Sequence, residues 1–578
     1  LAGLSAVIKI AEAGGTVDLF SIVPVKRSHS VCAQGGINAA KNLKGEGDTT
    51  WKHFDDSIYG GDFLANQTPV KLMCEAAPGV IDLLDRMGVP FNRTPEGLLD
   101  FRRFGGTLYN RTAFAGATTG QQLLYALDEQ VRRYESEGKV KKYEGWEFLS
   151  AVIDSKGMAR GITALDLRTM ELRSFASNVV ILATGGIGAI FGKSTNSVVC
   201  TGSAQSAVYQ QGVTYANGEF IQVHPTCIPG EDKLRLMSES ARGEGGRVWV
   251  PRTPGDKRPG RQIPEAERFY FLEEWYPKYG NLVPRDIATR AIHKVVYENH
   301  LGIDGQPMVY LDLTHIDRAT LDRKLGGILD IYEKFVGDDP HDVPMKIFPG
   351  MHYTMGGVWV GVDQMTNIPG IYAIGECDYQ YHGANRLGAN SLLSCIYAGF
   401  VAGPHALNYA KSAAAQEGDD GHAAELARQT ELNAKLLKNE GEENPFKLWR
   451  ELGDTMTKHA TVIRYNKGLK EADEKIVELI DRYKKVSLAD RSQWANTSFA
   501  FARQLKNMLE LARVIVQGAI LRDESRGAHY KPDFPERDDE RFLKTTKASY
   551  TASGPRFEYE EVDTQFIKPR RRSYDAVN

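Results

Sequence analysis

Apolar residues follow two textures along this chain. Up to Gly403, short apolar runs end on glycine turns; beyond it, apolar residues return at helical spacing with charges between them. The opening pattern, 1–11, predicts an amphipathic helix, and 17–21 predicts a buried strand after it, the order of a βαβ unit. A second strand is predicted over 178–184, running into Gly185-Gly186-Ile187-Gly188, and a third closes on Gly375-Glu376. A short helix is predicted over 286–299. In the second half, 423–439, 444–467, 470–485 and 497–522 predict the helices of a bundle, with core and solvated faces. Past Arg522, 524–530 and 533–540 are dense in charge and turn formers and read as a docking loop or a partly extended tail.

Composition narrows the class. With 578 residues, 42% hydrophobic and 25% charged, the chain is of ordinary globular make-up and long enough for several domains. A net charge of −3 argues against a nucleic-acid partner, and the basic run 568–572 reads as a solvated tail. The most apolar stretch, 179–191, is broken by glycines and falls short of the roughly 20 residues of a membrane helix. No stretch reads as a signal peptide. Six scattered cysteines without a CxxC pair predict no metal site, no iron–sulfur site and no disulfide framework, as in a reducing compartment.

The candidate chemistry sits among glycines. His29 lies just ahead of the Gly35-Gly36 pair, in a stretch of small residues where backbone can approach a flat cofactor; an ordinary surface turn is the plainer reading of those residues alone. Gly3 fits the last glycine of a G-x-G-x-x-G turn, which predicts an apolar strand and two further glycines ahead of it. Charged and imidazole side chains then cluster in 222–226, 238–246, 284–286, 352–357 and 382–391, which points to a site rather than to helix faces.

In this order, Arg27-Ser28-His29-Ser30 with Ala33-Gln34-Gly35-Gly36, His224-Pro225-Thr226, Arg242-Gly243-Glu244-Gly245-Gly246, Pro284-Arg285-Asp286, His352-Tyr353-Thr354-Met355-Gly356-Gly357, Gly383-Ala384-Asn385-Arg386-Leu387-Gly388 and Ser525-Arg526-Gly527-Ala528-His529 resemble the flavoprotein subunit of succinate dehydrogenase and fumarate reductase. The resemblance spans essentially the whole chain, and 385–393 is similar to the Bacillus-type branch, which in general works with menaquinone. It implies an α/β fold: a Rossmann-like FAD-binding domain (1–237, its first strand missing, and 346–410), an inserted α+β capping domain (238–345), a helical domain (411–522) and an extended C-terminal docking segment (523–578). It implies FAD bonded covalently to His29, with Gly3, Ser21, Ser28, Ser30, Ala33, Gln34, Gly35, Gly36, Ala183, Thr184, Gly185, Ser203, Glu376, Asn390, Ser391 and Leu392 as further cofactor contacts. His224, Ser238, His352, Arg386 and Phe104 match the positions that hold the substrate, a dicarboxylate whose two charges suit a planar guanidinium extended by imidazoles and a hydroxyl. Arg285 matches the proton-transfer arginine, with Glu239 and Arg242 as its relay.

The same resemblance implies a succinate:quinone oxidoreductase acting on succinate and fumarate, an iron–sulfur subunit, a cytochrome b-type membrane anchor, and a peripheral place on the cytoplasmic side of a bacterial inner membrane. One departure stands out: where the family has Thr-Gly-Asp-Gly, this chain reads Thr201-Gly202-Ser203-Ala204. The related L-aspartate oxidases share the arginine and histidine motifs but lack the attachment histidine, so His29 weighs against that alternative. An inactive FAD-binding scaffold is a further alternative, and intact Arg285, His352 and Arg386 weigh against it.

Overall fold

A computed structural model describes residues 1–230, 233–412, 415 and 421–574. Helix α1 (Ala2–Glu12) buries its apolar face against the long helix α5 (Asn390–Ala410). The two come close because α5 is glycine there: a Cβ on Gly399 or Gly403 would lie 2.6 Å from the Cβ of Ser5 or Lys9. Strand β1 (Val17–Ser21) runs parallel to β2 (Val140–Glu144), and β3 (Val180–Leu182) runs parallel to β9 (Ile371–Ala373). These pairs do not join. A cleft of about 640 Å³ lies between them, lined by β1, β3 and α1. For that reason β1 is half-buried rather than the buried strand its sequence predicts.

The remaining elements build the site. Helix α2 (Thr50–Gly60) caps on the Thr49 side chain, and α3 (Ser203–Gln210) follows the turn at Gly202. After β4 (Tyr215–Ala216) comes an antiparallel sheet in which β5 (Ile221–Ile228), β8 (Met345–Thr354), β7 (Val309–Asp312) and β6 (Arg247–Pro251) are consecutive neighbours. Helix α4 (Arg285–His293) packs on β5, with the Thr289 hydroxyl donating to the Val223 carbonyl at 3.0 Å. A separate apolar cluster that includes Val248, Ile292, Leu311 and Tyr332 forms the core of this inserted region. Strands β5 and β8 lie at its entry and exit, so residues they carry stand between the inserted region and the rest.

The helical half is α6 (His422–Lys438), α7 (Pro445–His459), α8 (Asn466–Tyr483) and α9 (Thr497–Leu521). The pattern over 444–467 predicts one helix, but α7 stops at His459 and α8 starts at Asn466, ahead of the expected 470. The break lets Arg464 turn inward, where Nη1 donates to the Glu219 carbonyl at 2.6 Å and to His529 Nδ1 at 2.7 Å.

Past Arg522 the chain is not a free tail. Arg522 donates to Glu219 Oε1 and Glu524 Oε1, both at 2.8 Å, while Arg526 grips Glu524 at 2.8 and 3.0 Å and Asp539 at 2.8 Å. The hairpin β10 (Lys544–Ser549) and β11 (Arg556–Glu561) then adds to β4, with Ala548 opposite Tyr215. The charges of the stretch that reads as a docking loop or a partly extended tail are taken up in internal, buried pairing; the last four residues of the expected segment, 575–578, lie outside the described residues.

Candidate active site

Strands β5 and β8 pair with His224 opposite Gly350, and register shifts on either side of His224 mark bulges. Bulges re-aim side chains, and here the His224 and His352 rings meet edge to face with centroids 5.1 Å apart. His224 Nδ1 accepts the Thr226 backbone N–H at 3.1 Å, while Nε2 is buried without a partner. The Thr195 hydroxyl lies 2.7 Å from His352 Nδ1. Burial, and then the nearby Arg285, push both imidazoles well below the usual histidine range, so both are neutral at pH 7.

Two guanidinium groups complete this wall. Arg285, first residue of α4, donates Nε at 2.9 Å and Nη2 at 2.7 Å to Glu239 Oε2, and Nη1 to Gln222 Oε1 at 2.9 Å. Glu239 Oε1 accepts from Arg242 Nη2 and from the Gly105 N–H, each at 3.0 Å. Burial raises the Glu239 carboxyl, but Arg285 and Arg242 outweigh it and hold the group below its ordinary range. Arg242 is anchored behind by the Asn281 carbonyl at 2.6 Å. Arg386 lies 4.2 Å from the centre of the Tyr353 ring, its Nε buried without a partner; burial and then Arg285 lower it to about 9.

These groups surround a cavity of about 400 Å³ lined by His29, Ser30, Ala33, Gln34, Gly35, Gly36, Phe104, His224, Ser238, Glu239, Arg285, His352, Glu376, Arg386, Ser391 and Leu392, among others. A Cβ on Gly35 would sit 2.7 Å from the Phe104 ring, and one on Gly36, whose φ is +138°, would sit 2.5 Å from the Ala113 carbonyl oxygen. His29 Nδ1 accepts the Ser197 N–H at 3.1 Å, and Nε2 lies 3.1 Å from the Asn196 side chain. Burial lowers His29 to about 4, so its ring is neutral. Burial also raises Glu376 to about 7.

The structure sorts the predicted residues. Gly3, Ser21, Ser28, Ala183 and Thr184 line the cleft between β1 and β3, next door to the cavity lined by His29. Four lie off both linings. Arg242 stands behind Glu239. The Asn390 side chain is drawn into a buried network with Asn38, His53 and Ser57. The Ser203 hydroxyl accepts from Asn507 at 2.8 Å, and the Gly185 carbonyl accepts from Gln205 at 2.6 Å. Thr195, Asn196 and Ser197, which hold His352 and His29, carry no signal in the sequence beyond being small and polar; Gln222 and Tyr353 lie inside quoted motifs without an expected role.

Comparison with known proteins gives the family of the whole chain. The FAD binding domain family matches residues 1–392, and the fumarate reductase flavoprotein C-terminal family matches 449–574. The succinate dehydrogenase flavoprotein subunit of Bacillus subtilis is 63% identical over 99% of this chain and 97% of its own. The chain belongs to the family of succinate dehydrogenase and fumarate reductase flavoprotein subunits. Within that family the fumarate reductase flavoprotein subunit of Escherichia coli is 34% identical over 99% of this chain and 94% of its own. A solved structure of Escherichia coli quinol fumarate reductase superimposes with a TM-score of 0.92 at 31% identity, covering 100% of this chain and 97% of that one. Family flavoproteins carry FAD, and the residues here fit it: a glycine cradle, a buried neutral imidazole, and the unpartnered Ser28 Oγ, Gln34 Oε1, His224 Nε2 and Arg386 Nε around adjoining cavities.

Proposed function

We propose that this chain interconverts succinate and fumarate in the 400 Å³ cavity, with FAD bonded to His29. The observation that carries the reading is the convergence of two neutral imidazoles, two arginines and His29 on one cavity. His29 Nδ1 accepts the Ser197 N–H and Nε2 meets the Asn196 amide; the attachment bond is assigned to Nε2, in place of that amide contact, because an imidazole substituted at Nε2 still accepts the Ser197 hydrogen bond. When bound, FAD supplies a two-electron acceptor beside the substrate.

The protein's own groups hold the dicarboxylate and move a proton. Arg386, with His224, His352 and the Ser238 hydroxyl, grips the two carboxylates; the neutral rings act as donors without adding charge. Holding both ends fixes the central carbons, which makes the step effectively unimolecular. Arg285 handles the proton: its guanidinium is held against Glu239 Oε2 on one side and Gln222 Oε1 on the other, which fixes its direction. Glu239 and Arg242 carry the proton onward.

The electrons then pass to an iron–sulfur subunit seated on a cytochrome b-type anchor with menaquinone as acceptor, which places this chain peripherally on the cytoplasmic face of a bacterial inner membrane. Among the described residues no helix is long and apolar enough to cross a membrane. The test is succinate-dependent dye reduction by the FAD-loaded protein, with and without those partners. Dye reduction by this protein with quinone reduction only in the assembled complex is the expected result; turnover with aspartate in place of succinate overturns the reading, as does no substrate-dependent reduction.

A further inference from the structure

The last described residues, 562–574, run from the β10–β11 hairpin across α2 to the back of α4. Their course is pinned at each step. Asp563 Oδ2 accepts the Thr68 N–H at 2.9 Å, Arg570 grips Asp55 at 2.7 and 2.9 Å, and the Ser573 N–H donates to the Tyr59 hydroxyl at 2.7 Å. The chain then crosses to the inserted region. Arg572 forms a two-pronged pair with Asp286, at 2.5 and 3.0 Å, and the two side chains are only 6% and 1% exposed. Tyr574 is buried in the core of that region, its ring 5.0 Å from Tyr279 and 5.5 Å from Tyr59.

Asp286 is the second residue of α4, and its neighbour Arg285 points the other way, into the cavity. The first turn of the helix is therefore held from both sides: Glu239 and Gln222 in front, Arg572 behind. Arg290 is the other cation near Asp286, at a looser 3.5 Å, and it is engaged with the Gly527 carbonyl at 2.7 Å. Taking away Arg572 would leave a buried carboxylate short of its main partner at the N-terminal turn whose position sets Arg285.

We propose that Arg572 is a positioning residue for turnover: through Asp286 it fixes the first turn of α4 and so holds Arg285 against Glu239 and Gln222, while Tyr574 and Ser573 clasp the inserted region to α2. The inference rests on Arg285 being the proton-transfer group. His224, His352 and Arg386 are carried by other elements, so substrate affinity does not depend on the clasp.

The test uses the FAD-loaded enzyme, assayed by dye-coupled succinate oxidation and expressed per flavin that succinate can reduce. Arg572→Gln is expected to lower kcat about tenfold, the scale of a small misplacement, while KM for succinate and the Kd of malonate, a dicarboxylate that cannot be oxidised this way, stay within about threefold. Asp286→Asn is expected to do the same, and the double variant no more than either, since both remove one link. Arg572→Lys keeps the charge without the two-pronged fit and falls between; it decides the matter if Arg572→Gln does not fold. A kcat per reducible flavin unchanged in these variants, whatever the fall in Tm, overturns the proposal, as do losses that multiply in the double variant. Arg285→Gln is measured alongside: an undiminished kcat there removes the proton-transfer reading itself, a failure separate from that of the clasp.

Discussion

Arg285 and Glu239 meet through a single carboxylate oxygen: Oε2 takes both the Nε and the Nη2 hydrogens of the guanidinium, at 2.9 and 2.7 Å. The other oxygen is occupied by Arg242 and the Gly105 N–H. A guanidinium held this way has a fixed direction, and the hydrogens not given to Glu239 and Gln222 are the ones it can present to a neighbouring carbon. Nothing in that arrangement requires Arg285 to supply most of the substrate affinity.

Arg285→Gln is therefore expected to lower kcat by about a thousandfold, in the range of general acid–base contributions, while the Kd of malonate rises no more than about fivefold. Steady-state dye reduction and calorimetric titration check the two numbers. A parallel loss of both would make Arg285 a binding residue.

His29→Ser is expected to leave FAD bound but not bonded. After denaturation and precipitation, flavin fluorescence stays with the parent chain and appears in the supernatant of the variant. Succinate oxidation falls in the variant because loss of the ring substituent lowers the flavin potential.

Thr195 acts through His352. Its hydroxyl, 2.7 Å from Nδ1, sets which way the ring presents Nε2 to the cavity. Thr195→Val keeps the shape and removes that partner. A buried hydrogen bond of this kind is worth about 1–2 kcal/mol, so kcat/KM for succinate is expected to fall roughly fivefold to thirtyfold, mostly through KM.

His53 supplies a pH dependence. Burial first, then the Arg111 charge, lower it to about 3, while its ring faces Asn390 Oδ1 at 2.9 Å at the start of α5. A histidine whose pKa is depressed on folding takes up a proton only in the unfolded chain below pH 6.5, so its share of stability is lost as pH falls from there toward 3. Between pH 6.5 and 5 that loss is about 1.6 kcal/mol. In His53→Gln this slope is absent. Urea denaturation at the two pH values is expected to show the gap in stability between parent and variant narrowing by about that amount on acidification.

Much of this was written locally in the chain. The helix over 1–11, the strand over 17–21 and the long helix over 497–522 follow from spacing alone, since each depends on residues within a few turns of one another. Charged residues set among glycines likewise pointed to His224, Arg285, His352 and Arg386 before any geometry was known. The break at 460–465 was not legible, because the partners of Arg464, the Glu219 carbonyl and His529, lie far away in sequence. Nor was the fate of 523–574: a run of charges reads as solvated until its counter-charges are found, and those of Arg522, Arg526 and Arg572 include Glu219, Asp539 and Asp286.

The sequence by itself determined which side chains are present and which short segments are helical or extended, because those depend on spacing and turn chemistry. Only the tertiary structure decided that Ser197 meets His29, that Thr195 meets His352, and that Arg572 stands behind Arg285 across α4. The physical reason is that hydrogen bonds and ion pairs act over about 3 Å, while the residues they join here are far apart along the chain, and the packing of β5, β8, α4 and the C-terminal segment brings them within that reach.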